Sequence, residues 1–73
     1  MANITAHIAG TVWKIDCKVG DVLEEGDTVA ILESMKMEMP VEAEEAGTVT
    51  EIAASEGDTV NEGDVLVVIE PAP

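Results

Sequence analysis

The chain has no arginine, no phenylalanine and no tyrosine, and it has one tryptophan, one cysteine and one histidine in 73 residues. Each shortage excludes something. A lone Cys17 cannot form an internal disulfide, and it fits a reducing compartment, so a cytoplasmic location is expected. With His7 and Cys17 the sole members of their types, no His/Cys metal cluster can be assembled. The acidic pairs and triplets Glu24-Glu25 and Glu42-Glu44-Glu45 lack the alternation of a calcium loop, so no metal site is expected. No Ser/His/Asp or Cys/His set exists for nucleophilic catalysis, and a 73-residue chain has little room for a pocket; an enzyme is not expected. Three Lys face sixteen Asp and Glu, for a net charge of −13. Phosphate backbones and anionic membrane surfaces attract the opposite sign, which excludes nucleic-acid binding and favours basic partners. No apolar run reaches the roughly 20 residues of a membrane span, and Met1 leads into polar sequence without a signal-peptide pattern. No membrane insertion is expected.

What is present is branched. Apolar residues make up 47% of the chain, Val and Ile supply much of that share, and six Thr add to it. Branching at Cβ disfavours helix and suits a pleated surface. The composition predicts an all-β domain with a thin core of small side chains.

Aligned with itself, the chain repeats. Ile4 to Glu33 matches Val41 to Glu70 without a gap at an offset of 37, with 12 of 30 positions identical. All six glycines fall in register: Gly10 with Gly47, Gly20 with Gly57, Gly26 with Gly63. Gly-Asp steps mark turns, since Gly reaches positive φ freely and Asp bonds to nearby backbone. The segments TVAILE and VLVVIE read as buried strands. GTVWKIDCK and GTVTEIAAS read as strands with a break in alternation, because Val12 and Ile15 are three apart; a bulge or bend is predicted there. The whole chain, 1–73, reads as one domain with halves at about 4–33 and 41–70. Each half presents one apolar face, and the two faces are expected to bury each other in a quasi-twofold sandwich.

Between the halves lies SMKMEMP, residues 34–40, read as a hairpin. The twofold maps this junction onto Glu70 and Ile4, so both termini are expected together at the opposite end. Lys36 stands in the middle of the unrepeated segment, flanked by Met35 and Met37, with Met39 following. Methionine is frequent on surfaces that adapt to partners, and exposed Met beside a tip Lys is costly unless something docks there. The alternative is that the methionines pack into the sandwich edge and Lys36 bridges Glu33 or Glu38. Lys14 and Lys18 read as solvated strand surface, Trp13 as a partly exposed sheet residue, and Cys17 as a small strand residue.

The run ESMKMEMPVEAEEAGTV, with its GDxVxxGD spacing, resembles the biotinyl/lipoyl attachment domain family, specifically its biotin carriers. The resemblance covers about Ile4 to Glu70. It implies a flattened β-barrel, a barrel-sandwich hybrid of two four-stranded antiparallel sheets. It implies that Lys36 carries covalent biotin, transferred from biotinyl-adenylate by a biotin protein ligase. Met35 and Met37 would flank the lysine for ligase recognition, with Glu33, Ser34 and Glu38 as motif context. The implied role is a monomeric carboxyl carrier between biotin carboxylase and carboxyltransferase sites, in a biotin-dependent carboxylase, decarboxylase or transcarboxylase. Lipoate is the alternative cofactor of the same fold; lipoyl domains usually place the lysine between Asp and Ala, and neither flanks Lys36. An unmodified adaptor of the same fold is the alternative without a cofactor. Some acetyl-CoA carboxylase carriers insert a thumb in the first half; here Thr11 to Val19 matches Thr48 to Glu56 with no insertion, so no thumb is expected. No Pro/Ala-rich stretch precedes Ile4, which fits either a stand-alone carrier or an excised domain.

Overall fold

The stiff β-branched residues act as their preferences predict. The computed structural model describes residues 1–73 and contains eight strands and no helix. They are β1 (Ala2–Thr5), β2 (Gly10–Ile15), β3 (Val22–Leu23), β4 (Thr28–Ser34), β5 (Met37–Glu42), β6 (Gly47–Ile52), β7 (Thr59–Val60) and β8 (Val65–Pro71). They form two four-stranded antiparallel sheets, ordered β1-β8-β6-β3 and β5-β4-β2-β7. The expected all-β sandwich is present.

The arrangement of the halves differs from the expectation that each half forms one face. Each sheet takes two strands from either half, and every connection except β4–β5 carries the chain from one sheet to the other. The halves are therefore interlocked. The physical reason is in the short strands: β3 and β7, two residues each, cannot hold a hairpin within their own half, and each instead joins the edge of a sheet beside a strand of the other half.

The core reproduces the duplication completely. Its sixteen buried apolar residues are eight pairs at the offset of 37: Ile4/Val41, Ala6/Ala43, Val12/Val49, Cys17/Ala54, Leu23/Val60, Val29/Leu66, Ala30/Val67 and Leu32/Ile69. The two halves differ in side-chain size at some of these pairs, as in Val29 against Leu66 and Leu23 against Val60. Full burial of one such side chain stabilises by about 1.5–3 kcal/mol. No polar or charged side chain is buried and no buried side-chain polar atom lacks a partner, so the interior is purely apolar.

The predicted break in alternation is a pair of bulges. The β2–β4 register shifts between Val12 and Lys14, and the β6–β8 register shifts between Val49 and Glu51. The bulged residues are Trp13 and Thr50. The Thr50 hydroxyl donates to the Val68 carbonyl at 3.2 Å, whereas Trp13 stands half exposed. The strands end soon after, at Ile15 and Ile52, shorter than the segments read from sequence.

The Gly-Asp steps form four copies of one turn, at Lys18–Asp21, Glu24–Asp27, Ser55–Asp58 and Asn61–Asp64. In each, the Asp N–H donates to the first carbonyl at 3.0 Å. The Asp carboxylate accepts from the first N–H at 2.8–2.9 Å. The glycine between them has φ of +92° to +97°, which a Cβ would penalise.

The molecule is elongated, 38 × 19 × 18 Å. Gly10 lies against Glu33 and Ser34 beside the β4–β5 turn. From there β2 runs six residues, about 20 Å at ~3.3 Å per residue, and its continuation brings Gly20 and Asp21 onto Val49. Val49 pairs with Ile69, which pairs with Ala2. The termini thus lie together, at the end remote from the hairpin, as the dyad predicts.

Candidate functional site

The hairpin is tighter than the sequence suggested. Residues 37–40 belong to β5 and Ser34 to β4, so the 34–40 loop reduces to two residues, Met35 and Lys36. The ladder closes through Ile31↔Pro40, Leu32↔Met39, Glu33↔Glu38 and Ser34↔Met37. Pro40 is tolerated because β5 is an edge strand with no neighbour on its outer side.

A two-residue connection of this kind needs positive φ at both central positions to match the twist of the strands. Met35 has φ +54° and Lys36 φ +64°, the only non-glycine residues of the chain in the left-handed region. Asn-Gly is the usual solution, and an L-residue with a long side chain pays about 1–2 kcal/mol there. Nothing in the residue types announces this geometry; it is imposed by the ladder on either side. Backbone strain of this sort concentrates at functional positions.

Side chains at the tip are bare. Met35 is 92% exposed and Met37 59%, while Met39, opposite Leu32 in the ladder, is half-buried. The methionines flanking the lysine therefore do not pack into the sandwich edge. Lys36 is exposed and makes neither an ion pair nor a side-chain hydrogen bond; the one ion pair of the molecule is Lys14–Asp16, at 3.6 Å. Glu33 and Glu38, the expected bridging partners, are paired across the strands with each other and exposed, so two like charges sit opposite one another at the base of the turn. Such pairs destabilise a ladder slightly. Ser34 is half-buried in the last rung.

The other singled-out residues lie elsewhere. Lys14 is on β2, but Lys18 follows the strand and opens a Gly-Asp turn rather than lying along a strand. Cys17 is buried but also lies beyond β2, which corrects its reading as a strand residue. Burial, with Asp21 and then Asp16 adding to it, pushes its thiol above the usual range, so it is not a reactive thiolate. His7 is far along the chain from the hairpin and lines a surface groove of about 540 Å³ between the edges of β1 and β5, with Glu25, Glu42, Glu44 and Glu45.

The geometry suits a covalent group presented outward. The amine of Lys36 is unpaired, the turn that holds it is pinned by six cross-strand pairs, and neither surface groove includes any residue from 27 to 39.

Comparison with known proteins identifies a family and several relatives. Residues 1–69 match the family model described as "Biotin-requiring enzyme". The biotin/lipoyl attachment protein of Bacillus subtilis is 53% identical over 42 residues, 58% of this chain and 58% of that protein. The methylmalonyl-CoA carboxyltransferase 1.3S subunit of Propionibacterium freudenreichii is 56% identical over 36 residues, 49% of this chain and 29% of the subunit. The crystal structure of Kluyveromyces lactis urea carboxylase superposes with a TM-score of 0.88 at 40% identity, over 94% of this chain and 6% of that one. The matched segments span little more than half of the first of these relatives and far less of the others.

Proposed function

The chain belongs to the biotin-requiring-enzyme family, and from that membership we propose that it is a biotin carboxyl carrier, with Lys36 as the attachment residue. The observation that supports this best is the bare, unpaired Lys36 in a left-handed two-residue turn between exposed Met35 and Met37. The protein is a carrier and not itself a catalyst.

The chemistry asked of the chain is modest. The Nζ of Lys36, once deprotonated in a ligase site, attacks an activated acyl carbon; an amide bond forms, the activating group leaves, and one positive charge is lost, taking the chain from −13 to −14. The exposed turn lets a ligase cleft enclose the lysine while the ladder stays paired. Met35 and Met37 offer that cleft adaptable apolar contact, with Glu33, Ser34 and Glu38 framing it. Biotin, when attached, supplies the ureido nitrogen that bears the carboxyl group. The rigid sandwich then holds the lysine stem clear of its own surface, and tethering raises the local concentration at each partner site. The partners are a biotin protein ligase, a biotin carboxylase and a carboxyltransferase, each meeting the hairpin end, with the carrier monomeric and cytoplasmic.

Lipoate is the second reading, favoured by the name of the Bacillus relative, which admits both groups. Intact mass decides. Incubation with a biotin protein ligase, biotin and ATP is expected to add one biotin to the wild-type chain and none to Lys36→Ala, with unfolding of the variant shifted by less than ~0.5 kcal/mol. No mass gain with biotin but a gain with lipoate ligase and lipoate would favour the lipoyl reading. A chain that takes neither would be an unmodified adaptor, and labelling that persists in Lys36→Ala would remove the assignment.

A further inference from the structure

The hairpin is anchored to the barrel through Leu32 on one arm and Val41 on the other. β5 is an edge strand that pairs only with β4 and is tied to the core at its far end by Val41, so near the tip the hairpin meets the rest of the molecule through the last residues of β4. There, the residue that meets it is Gly10, the first of β2. A Cβ on Gly10 would lie 2.6 Å from the Glu33 carbonyl oxygen, 3.4 Å from its carbonyl carbon and 3.5 Å from the Ser34 Cβ. A distance of 2.6 Å to backbone oxygen is not tolerated, so a side chain here forces the start of β2 and the Glu33 peptide apart. Glu33 is two residues before Met35 and three before Lys36, and only the Ser34↔Met37 rung stands between it and the strained turn.

We propose that Gly10 is a positioning residue for the modification of Lys36: its missing side chain lets β2 seat the Glu33 peptide, and that seat sets the orientation of the left-handed turn. This rests on the assignment of Lys36 as the attachment residue. Gly10 touches neither the lysine nor any partner; it acts through Glu33 and Ser34.

The duplication supplies an internal control. Gly47 occupies the equivalent position and meets the same obstacle, with its Cβ 2.6 Å from the Glu70 carbonyl oxygen, and it is the more crowded of the two because the Ile69 Cδ1 lies at 3.1 Å. Gly47 is buried and Gly10 is not. Gly47→Ala should therefore disturb the fold at least as much as Gly10→Ala, but at the end away from Lys36. A role confined to folding predicts that labelling follows stability in both variants. Positioning predicts that labelling falls at Gly10 only.

The test uses the full chain with Gly10→Ala, Gly47→Ala and Lys36→Ala. Initial rates of ligase-dependent biotin transfer are measured well below each unfolding midpoint, and backbone amide shifts of residues 33–37 are recorded without ligase. Gly10→Ala is expected to lose about tenfold in kcat/KM and to move the amide shifts of Glu33 to Met37; one decade corresponds to about 1.4 kcal/mol. Gly47→Ala is expected to stay within about twofold of wild type with those shifts unmoved. Equal losses in the two variants, or unmoved hairpin shifts in Gly10→Ala, would overturn the proposal. If Gly10→Ala is unfolded in buffer, all chains are compared in trimethylamine N-oxide, which favours compact states; failure to fold there too would overturn it, since the contact would then serve the fold first. A wild-type chain that accepts no biotin would instead defeat the carrier assignment, and the amide shifts would still report whether Gly10 sets the turn.

Discussion

The two ends of this molecule are built from the same parts and finished differently. At one end β4 runs into β5 through Met35 and Lys36; at the other, β8 lies against β1 with no turn joining them. The registers match residue for residue under the offset of 37: Leu32↔Met39 corresponds to Ile69↔Ala2, and Thr28↔Glu42 to Val65↔Thr5. Beyond that shared ladder the ends diverge. The terminal end is capped by its own tail, where the Ala72 N–H donates to the Ala46 carbonyl at 2.9 Å and Gly47 becomes buried. The hairpin end has no such cover and carries two extra rungs, a strained turn and an unpaired amine. Duplication accounts for the barrel, and the one connection it did not duplicate carries the exposed lysine. Smaller asymmetries are structural. Glu56 accepts from the Ile15 N–H at 3.0 Å beside the first bulge, whereas its counterpart Val19 is exposed.

The comparison can be broken most severely in the core. Leu32→Ala and Ile69→Ala remove equivalent, fully buried side chains, and each is expected to cost about 2–5 kcal/mol in denaturant unfolding. The two costs should agree within about 1 kcal/mol; a large inequality would mean that the ends do not share the barrel's stability equally. Next, Met35→Asp with Met37→Ala alters only the hairpin end. Biotin transfer is expected to fall by about tenfold or more, or about 1.4 kcal/mol, with the unfolding midpoint no lower than that of the wild type, since Asp also tolerates positive φ. Unchanged labelling would show that the ligase does not read the flanking methionines.

A smaller effect sharpens the contrast. Met35→Asn places a residue tolerant of positive φ in the turn and is expected to raise stability by about 1 kcal/mol, since left-handed strain is relieved. The terminal end has no corresponding strain to release. Least of all is the effect at Cys17, whose partner in the other half is Ala54. Burial and two nearby carboxylates raise the thiol pKa in the folded chain. The folded state therefore holds its proton at pH values where the unfolded thiol has lost it. The stability contributed is full below the unfolded pKa and declines as pH rises through the folded one. Cys17→Ala should flatten that alkaline decline in urea unfolding; an unchanged slope would place its origin elsewhere.

Much of this architecture could be read from residue identities. The Val, Ile and Thr content called for strands, the paired Gly-Asp steps located the four turns, and the three-residue spacing of Val12 and Ile15 located both bulges. These are local signals, or identities repeated at a fixed offset, and a linear text preserves both. The exposed setting of Lys36 followed from symmetry, because a segment without a counterpart must lie at a junction.

What the order of residues alone established is that the barrel is a duplicated all-β unit with one unmatched junction carrying Met35, Lys36 and Met37. Tertiary structure decided how the halves interlock across both sheets, that the junction narrows to two left-handed residues, and that Gly10 rather than a side chain meets its base. The reason is physical: strand pairing is set by which apolar faces close over one another, and the sign of φ in the turn by the twist of the ladder around it. Both depend on contacts between residues far apart in the chain, which no local preference of Met or Lys records.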